Sequence, residues 1–175
     1  PKSEKIENLL LTFGGVDLHN LSQKMLLSIR EMCSDEVIQV HIVTGPGYRE
    51  QEALRKFVNQ SDGVDLTHAT GVISEIMANA DLAISSNGRT VYELAHMNVP
   101  GIVIDQHVRE GTHHFACEEN GFVNLGLYNP GVTEQEVFRT LSKLIKDPSL
   151  RSELYEKTTR HTFAKVDNRG ILEIK

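Results

Sequence analysis

Short apolar runs alternate with helical patterns along this chain, and a small or polar turn separates each run from the helix that follows. A continuous apolar run predicts a buried strand, whereas apolar residues that recur every three or four positions predict an amphipathic helix. Strands joined by helices pair in parallel and are covered on both faces. We therefore expect one α/β domain over residues 1–175, built on a doubly wound parallel sheet. The predicted strands cover 7–13, 37–44, 64–67, 82–84, 100–105 and 122–125, and the predicted helices cover 20–32, 49–59, 73–79, 90–97, 112–120, 133–146 and 148–160.

The composition and charge of the chain limit the kinds of molecule that it could bind and the compartment in which it could work. The formal net charge is -6, and Lys and Arg form no stripe, which argues against nucleic acid as a partner. No segment approaches the ~20 consecutive apolar residues of a membrane span, and we expect no signal peptide. Cys33 and Cys117 have neither metal nor redox spacing, which favours reduced thiols in a cytoplasmic protein. Pro1–Lys5 resembles a linker, so we expect a longer natural chain.

Three histidines, His107, His113 and His114, raise the question of a metal site. Neighbouring residues on the predicted helix 112–120 point about 100° apart, so His113 and His114 would not readily share one ion. Glu110 is the one carboxylate at ligand spacing. We therefore expect no metal and no cofactor, and we expect one histidine of the pair either to contact a ligand or to pack at the surface.

The segment from Ala80 to Ala95 organises the domain, because a buried strand passes through the tight turn Ser85–Arg89 into a helix. The first N–H groups of a helix lack internal partners and lie at the positive end of the helix dipole. An anion, most naturally a phosphate, suits such a position. A second interpretation stays open, in which Thr90 and Glu93 form a capping box and hold no ligand.

The glycine turns indicate which ligand class fits best. A dinucleotide-binding domain would carry Gly-x-Gly-x-x-Gly after its first strand, and a P-loop nucleoside triphosphatase would carry a Walker phosphate-binding loop. Both motifs are absent from the sequence. Gly14 and Gly15 allow the backbone to approach a diphosphate without a Cβ in the way. His19 and Asn20 follow closely enough to approach the same group, and Asn20 alternatively caps the first helix.

Three segments resemble the C-terminal half of GT-B nucleotide-sugar enzymes. These are Phe-Gly-Gly at 13–15, the run at 80–93 with its Thr-Val-Tyr-Glu, and Val-Pro-Gly-Ile-Val-Ile-Asp-Gln-His at 99–107. The resemblance extends from Leu9 to about Ile174. It is greatest to the UDP-sugar hydrolase of pseudaminic acid synthesis and next to the peptidoglycan N-acetylglucosaminyltransferase. Similar domains also follow acylneuraminate cytidylyltransferases.

The resemblance implies a Rossmann-like half of a GT-B fold and a set of nucleotide contacts. The two glycines would approach the diphosphate, the turn before the fourth helix would bind it, and an acidic residue one helical turn further on would hold the ribose. The match weakens over 109–114, which leaves the sugar open. The implied nucleotide contacts are Gly14, Gly15, Gly71, Val72, Ile73, Ser86, Asn87, Gly88, Arg89, Thr90 and Glu93, and the implied sugar-facing residues are Gln106, His107 and His113.

These implications lead to one main functional expectation and two alternatives. We expect a UDP-sugar-binding domain, part of a hydrolase or glycosyltransferase-like enzyme of sialic or pseudaminic acid-type sugar synthesis and cell-surface polysaccharide formation. In the hydrolase relatives the general base comes from the N-terminal half, so this chain would bind UDP-sugar without turning it over alone, and no catalytic residue is assigned. The first alternative is a non-catalytic module that helps a fused cytidylyltransferase to form a homo-oligomer or to sense sugar nucleotide. The second alternative is half of a nucleotide-sugar 2-epimerase.

Overall fold

The computed structural model describes residues 4–68, 71 and 73–171, and side chains within these ranges as far as residue 160. Six strands form one sheet in the order β3-β2-β1-β4-β5-β6, and every neighbouring pair is parallel. The chain therefore builds outwards from β1 in one direction and, after β3, from β4 in the other, which confirms the doubly wound α/β fold. The strands are β1 Asn8–Thr12, β2 Gln39–Thr44, β3 Val64–His68, β4 Leu82–Ser86, β5 Gly101–Asp105 and β6 Phe122–Leu127.

Helices cover both faces of this sheet. Alternate residues of β1 belong to different cores: Leu9 and Leu11 pack in one hydrophobic cluster and Leu10 in the other, all with no exposed surface. Because both faces are covered, the strand reads as a continuous apolar run. The helices are α1 Leu21–Asp35, α2 Gln51–Asn59, α3 Ile73–Asn79, α4 Thr90–His96, α5 Val132–Lys146 and α6 Pro148–Ile171. Across the described ranges, no helix combines the length and the apolar character that crossing a membrane requires.

Several predicted boundaries differ from the observed ones for identifiable reasons. The strand predicted to end at Ile84 continues through two serines, and Ser86 pairs with Ile104 of β5. The strand predicted from Val37 begins at Gln39, because Val37 adopts φ 55° in the turn that ends α1. At the C-terminal end, β6 continues to Leu127 and α6 to Ile171.

The predicted helix 112–120 is wrong. This segment forms two short 3₁₀ turns, Val108–Thr112 and Glu118–Asn120, with His113 in an extended conformation between them. Carbonyl groups that a helix would pair internally accept hydrogen bonds from side chains instead: Asn120 donates to the Phe115 carbonyl and Asn124 to the Ala116 carbonyl. The backbone of His113, with φ -88° and ψ 103°, is extended rather than helical, so no continuous α-helix runs through this segment.

Candidate functional site

A cleft of about 380 Å³ lies at the carboxyl ends of β1 and β2. In doubly wound sheets ligands usually bind outside the carboxyl ends of the strands, near the point where the strand order reverses. In this sheet that point lies between β1 and β4, and the cleft reaches it through Thr90, which follows β4. The lining combines the ends of both strands, their loops and the first residues of α3 and α4. It brings together four of the predicted nucleotide contacts. The lining residues are Thr12, Gly14, Gly15, Val43, Thr44, Gly45, Pro46, Ile73 and Thr90.

Two glycine loops form one wall of the cleft by direct backbone contact. The Gly47 N–H donates to the Gly15 carbonyl at 2.9 Å. A Cβ on Gly45 would lie 2.4 Å from the Gly15 Cα and 2.7 Å from its carbonyl oxygen, a separation that no side chain could occupy. A Cβ on Gly15 would meet nothing within 4 Å. Gly45 therefore allows the loops to approach, whereas Gly15 leaves open space in the cleft.

The turn before α4 contains backbone donors beside this cleft. Arg89 is the residue before the helix, and no side chain caps the helix start. The capping box between Thr90 and Glu93 is therefore not formed, and Glu93 is exposed. Within the described part of the chain, the hydrogen bonds include none from the N–H of Arg89 or Thr90. Ser86 is buried, and its hydroxyl oxygen would lie 3.9 Å from a Cβ on Gly14.

The start of α1 is already occupied by a carboxylate. Asp17 is 6% exposed and accepts the N–H groups of Leu21 and Ser22 at 2.7 and 2.8 Å. Asn20 stands at the position immediately before the helix but makes no side-chain cap, so the interpretation of Asn20 as the capping side chain is wrong. Asp17 therefore occupies these two donors and places a carboxylate beside the positive end of the α1 dipole.

Asn87 connects the turn before α4 to the loop after β5. Its side chain is 2% exposed, and its Nδ2 lies 2.9 Å from Asp105 Oδ1, 2.9 Å from the Glu110 carbonyl and 3.0 Å from the His113 carbonyl. Three acceptors surround an amide group that has two hydrogens. The side chain predicted to touch the nucleotide is thus directed into a buried hydrogen-bond network.

The predicted sugar-facing residues lie in a second group beside the cleft. Gln106 donates from Nε2 to the Phe13 carbonyl at 2.8 Å, which fastens this loop to the end of β1. His107 is exposed, with Nε2 3.7 Å from Glu110 Oε2, and the exposed His113 donates from Nδ1 to the Asn87 carbonyl at 3.0 Å. Among the residues that the structure describes, no three His, Cys, Asp or Glu side chains are grouped as they would be around a metal ion.

Other predicted nucleotide contacts do not line the cleft. Conversely, some residues that line the cleft were not predicted. Gly71 is exposed before α3, Gly88 and Arg89 belong to the turn before α4, and Val72 lies outside the described residues. Sequence reasoning missed five of the residues that line the cleft, namely Thr12, Val43, Thr44, Gly45 and Pro46. The signal for them was present, because the loop at 45–47 follows a predicted strand and every such loop meets at the same sheet edge.

Comparison with known proteins shows which family and which curated proteins this chain resembles. The glycosyltransferase family 28 C-terminal domain matches residues 9–169 of this chain. The spore coat polysaccharide biosynthesis protein SpsG of Bacillus subtilis (strain 168) is 26% identical over 169 residues, which is 95% of this chain and 48% of SpsG. An uncharacterized protein, MJ1062 of Methanocaldococcus jannaschii, is 28% identical over 108 residues, which is 60% of this chain and 22% of that protein. The chain therefore spans less than half the length of these curated relatives.

Solved structures share the same architecture. MurG of Acinetobacter baumannii superposes with a TM-score of 0.69 at 16% identity, over 95% of this chain and 52% of MurG. The UDP co-structure of MnaA from S. aureus superposes with a TM-score of 0.64 at 15% identity, over 99% of this chain and 48% of MnaA. At these identities the similarity shows the fold, and it confirms a Rossmann-like half of the GT-B type. Since the family match covers almost the whole described chain, the protein belongs to the glycosyltransferase family 28 C-terminal domain family.

Proposed function

We propose that this domain binds the nucleoside diphosphate of a UDP-sugar in the cleft between β1, β2, α3 and α4. The observation that carries the proposal is the meeting of the two glycine loops opposite the start of α4. The open space in front of Gly15 and the N–H groups of Arg89 and Thr90 suit phosphate oxygens. Arg89 is exposed at the same turn and supplies a positive charge. The cleft, at about 380 Å³, falls in the ~300–1,000 Å³ range of small-molecule pockets.

The relatives support this ligand class and suggest a process. SpsG is named for spore coat polysaccharide biosynthesis, and the MnaA structure contains UDP. Together with the resemblance to the UDP-sugar hydrolase of pseudaminic acid synthesis, these names favour a role in making or using activated sugars. We assign the chain to the nucleotide-binding half of a hydrolase or glycosyltransferase-like enzyme. Hydrolysis of the glycosyl–phosphate bond is the reaction we favour.

Calorimetric titration of the 175-residue chain with UDP, CDP and CMP tests the proposal. Gly15→Val adds a side chain at a position where a Cβ would meet nothing within 4 Å, so we expect UDP affinity to fall by about tenfold or more. The thermal midpoint of the variant, measured alongside, should stay near that of the wild type. Glu93→Ala removes the proposed ribose contact and should cost about 1 kcal/mol. Glu52→Ala is the matched control, because Glu52 is likewise an exposed acid in the first turn of a helix, and it should bind UDP as the wild type does.

A second measurement separates binding from turnover. We expect no hydrolysis of UDP-sugar by this chain alone, since the residues that would supply a general base in the hydrolase relatives belong to another half of the molecule. Full turnover by the isolated chain would contradict that assignment. If the folded wild type binds none of the three nucleotides, the nucleotide site is contradicted. Self-association in sedimentation would then favour the assembly module attached to a cytidylyltransferase.

A further inference from the structure

Two exposed histidines, His19 and His113, lie in loops that follow strands of the sheet. Each forms a hydrogen bond to a backbone carbonyl, but the two use different ring nitrogens. His19 Nε2 lies 2.8 Å from the Gln106 carbonyl oxygen, and His113 Nδ1 lies 3.0 Å from the Asn87 carbonyl oxygen. A carbonyl oxygen only accepts, so each of these nitrogens donates. Neutral imidazole carries one N–H, so the other nitrogen is an acceptor, namely Nδ1 in His19. Sequence reasoning assigned His113 to the sugar but gave His19 no such role.

The backbone fixes the position of His19 within a tight turn. Asp17 and Asn20 flank it in left-handed conformations, with φ of 53° and 54°, and the Asn20 N–H donates to the Asp17 carbonyl at 2.9 Å. The Asp17 side chain is tied to α1, and the Tyr48 hydroxyl donates to Asn20 Oδ1. Aspartate and asparagine both tolerate the left-handed conformation, so these two residues define the shape of the turn that carries His19.

The ring of His19 is also constrained from one side. Its centroid lies 5.4 Å from that of Tyr128, with the ring planes inclined by 43°. Lys24 Nζ lies 5.3 Å from the Tyr128 centroid, and the Tyr128 hydroxyl donates to Glu134 Oε2 at 2.9 Å. The imidazole is therefore oriented by a hydrogen bond and an aromatic contact, yet remains exposed. No hydrogen bond of His19 Nδ1 occurs within the described part of the chain, whereas Nε2 is bonded to the Gln106 carbonyl.

We propose that His19 is a ligand-contacting residue whose Nδ1 accepts a hydrogen bond from a hydroxyl of the glycosyl group. This inference rests on the proposed nucleotide-sugar site, and it adds a recognition element for the sugar. The acceptor needs a partner that donates, and ionised phosphates carry no hydrogen to give, so the diphosphate is not that partner. The residue that holds His19 in place, Gln106, belongs to the loop predicted to face the sugar, and its own side chain is fastened to Phe13.

Substitution by the two amides separates ligand contact from loop anchoring. In His19→Gln the amide nitrogen lies near the ε position and still donates to the Gln106 carbonyl, but no acceptor remains at the δ position. In His19→Asn an acceptor remains at the δ position while the donor to Gln106 is lost. Each variant is titrated with UDP and with UDP-N-acetylglucosamine, UDP-N-acetylgalactosamine and UDP-glucose, using the sugar nucleotide that the wild type binds most tightly for the comparison.

We expect His19→Gln to bind UDP within about twofold of the wild type and to bind the sugar nucleotide about fivefold more weakly. His19→Asn should recover part of that loss. Equal sugar-nucleotide affinity in His19→Gln and the wild type would overturn the inference and leave His19 as a loop tie. A wild type that binds UDP but no sugar nucleotide more tightly would overturn it as well. If the wild type binds no nucleotide at all, the proposed function itself fails, and that result differs from both.

Nitrogen-15 spectra of the imidazole groups give an independent readout. The free protein should show His19 with a protonated Nε2 and an unprotonated Nδ1. Addition of the sugar nucleotide should move the Nδ1 resonance, and UDP alone should leave it in place. An Nδ1 that is already protonated in the neutral tautomer, or that responds equally to both ligands, would contradict the assignment.

Discussion

Asn87 and His113 hold each other by reciprocal hydrogen bonds. Asn87 Nδ2 donates to the His113 carbonyl at 3.0 Å, and His113 Nδ1 donates to the Asn87 carbonyl at 3.0 Å. The first residue belongs to the turn before α4, where the diphosphate is proposed to bind, and the second to the loop after β5, which is proposed to face the sugar. The two parts of the candidate site are therefore positioned as one unit.

The hydrogen bonds of Asn87 predict that its aspartate variant is less stable than its alanine variant, although aspartate is closer to asparagine in shape. Asn87→Ala leaves buried acceptors without a donor and should lower the free energy of unfolding by about 1–3 kcal/mol. Asn87→Asp is close in shape, but it places a carboxylate against Asp105 Oδ1 and the carbonyls of Glu110 and His113. It should therefore be less stable than Asn87→Ala at neutral pH. Urea unfolding followed by circular dichroism measures both, and an Asn87→Asp variant as stable as the wild type would show that the network is assigned wrongly.

Substitution by alanine should strongly destabilise the protein at Gly45 and have almost no effect at Gly15. Gly45→Ala forces a Cβ to within 2.4 Å of the Gly15 Cα, so we expect a loss of about 2–3 kcal/mol as the loops separate. Gly15→Ala meets nothing within 4 Å and should stay within about 0.5 kcal/mol of the wild type. Thermal unfolding of the pair distinguishes them, and similar midpoints for both variants would argue against the close loop approach.

A stabilising substitution is predicted at the end of α1. The Ile38 N–H bonds to the Cys33 carbonyl at 2.8 Å and the Val37 N–H to the Ser34 carbonyl at 3.2 Å, which is a Schellman motif with Val37 in the left-handed position. Val37 is 84% exposed, so Val37→Gly loses little packing and relieves the backbone. We expect a gain of about 0.5–1 kcal/mol, measured as a rise in Tm of about 1–4 °C.

Asn98 supplies the matched control for this helix end. It occupies the equivalent position after α4, with φ 61° and the Val99 N–H bonded to the Leu94 carbonyl at 2.8 Å. Asparagine tolerates the left-handed conformation far better than valine. Asn98→Gly should therefore gain less than Val37→Gly, and an equal or larger gain would contradict the explanation by backbone strain.

Alkaline pH should destabilise the fold through Cys33. Burial raises the pKa of the Cys33 thiol from 9.0 to about 12. Between these values the unfolded chain releases the thiol proton and the folded chain keeps it, so the folded state binds more protons and stability falls as pH rises. Burial also raises the pKa of Tyr128 from 10.0 to about 12. The loss of stability therefore continues as the pH rises above 10.

The Cys33 contribution is isolated by substitution. Cys33→Ala should lower stability at neutral pH through the cavity it leaves, but its stability should change less between about pH 8 and pH 10, below the main ionisation of tyrosine. Urea unfolding at several pH values measures both slopes. Parallel slopes for Cys33→Ala and the wild type would show that the thiol does not contribute.

Local pattern was sufficient to predict most of the fold. Leu9–Leu11 are apolar without interruption because both faces of β1 are buried, and the glycine turns correctly separated strands from helices. Boundaries failed where distant groups intervene. Within residues 108–120 the carbonyls of Glu110 and His113 accept hydrogen bonds from the distant Asn87 side chain, and neither periodicity nor spacing reveals such a partner.

The sequence also predicted part of the lining of the candidate site. Strand ends and glycines identified the sheet edge, and Gly14, Gly15, Ile73 and Thr90 were brought to one cleft. The need for glycine at position 45 arises from contact with Gly15 and could not be derived from its own neighbours in sequence. Likewise, Asp17 accepts the N–H groups of Leu21 and Ser22 from a left-handed backbone position that its sequence neighbours did not predict.

The most direct measurement of the central claim is amide chemical-shift mapping of the nitrogen-15-labelled chain with UDP at up to about 1 mM. Binding in the proposed cleft predicts the largest changes at Gly14, Gly15, Gly45 and Thr90, and their loss in Gly15→Val. Changes confined to another surface, such as the groove between α1 and α5 that Met32 and Phe138 line, would contradict the account. So would the absence of any change with the protein folded.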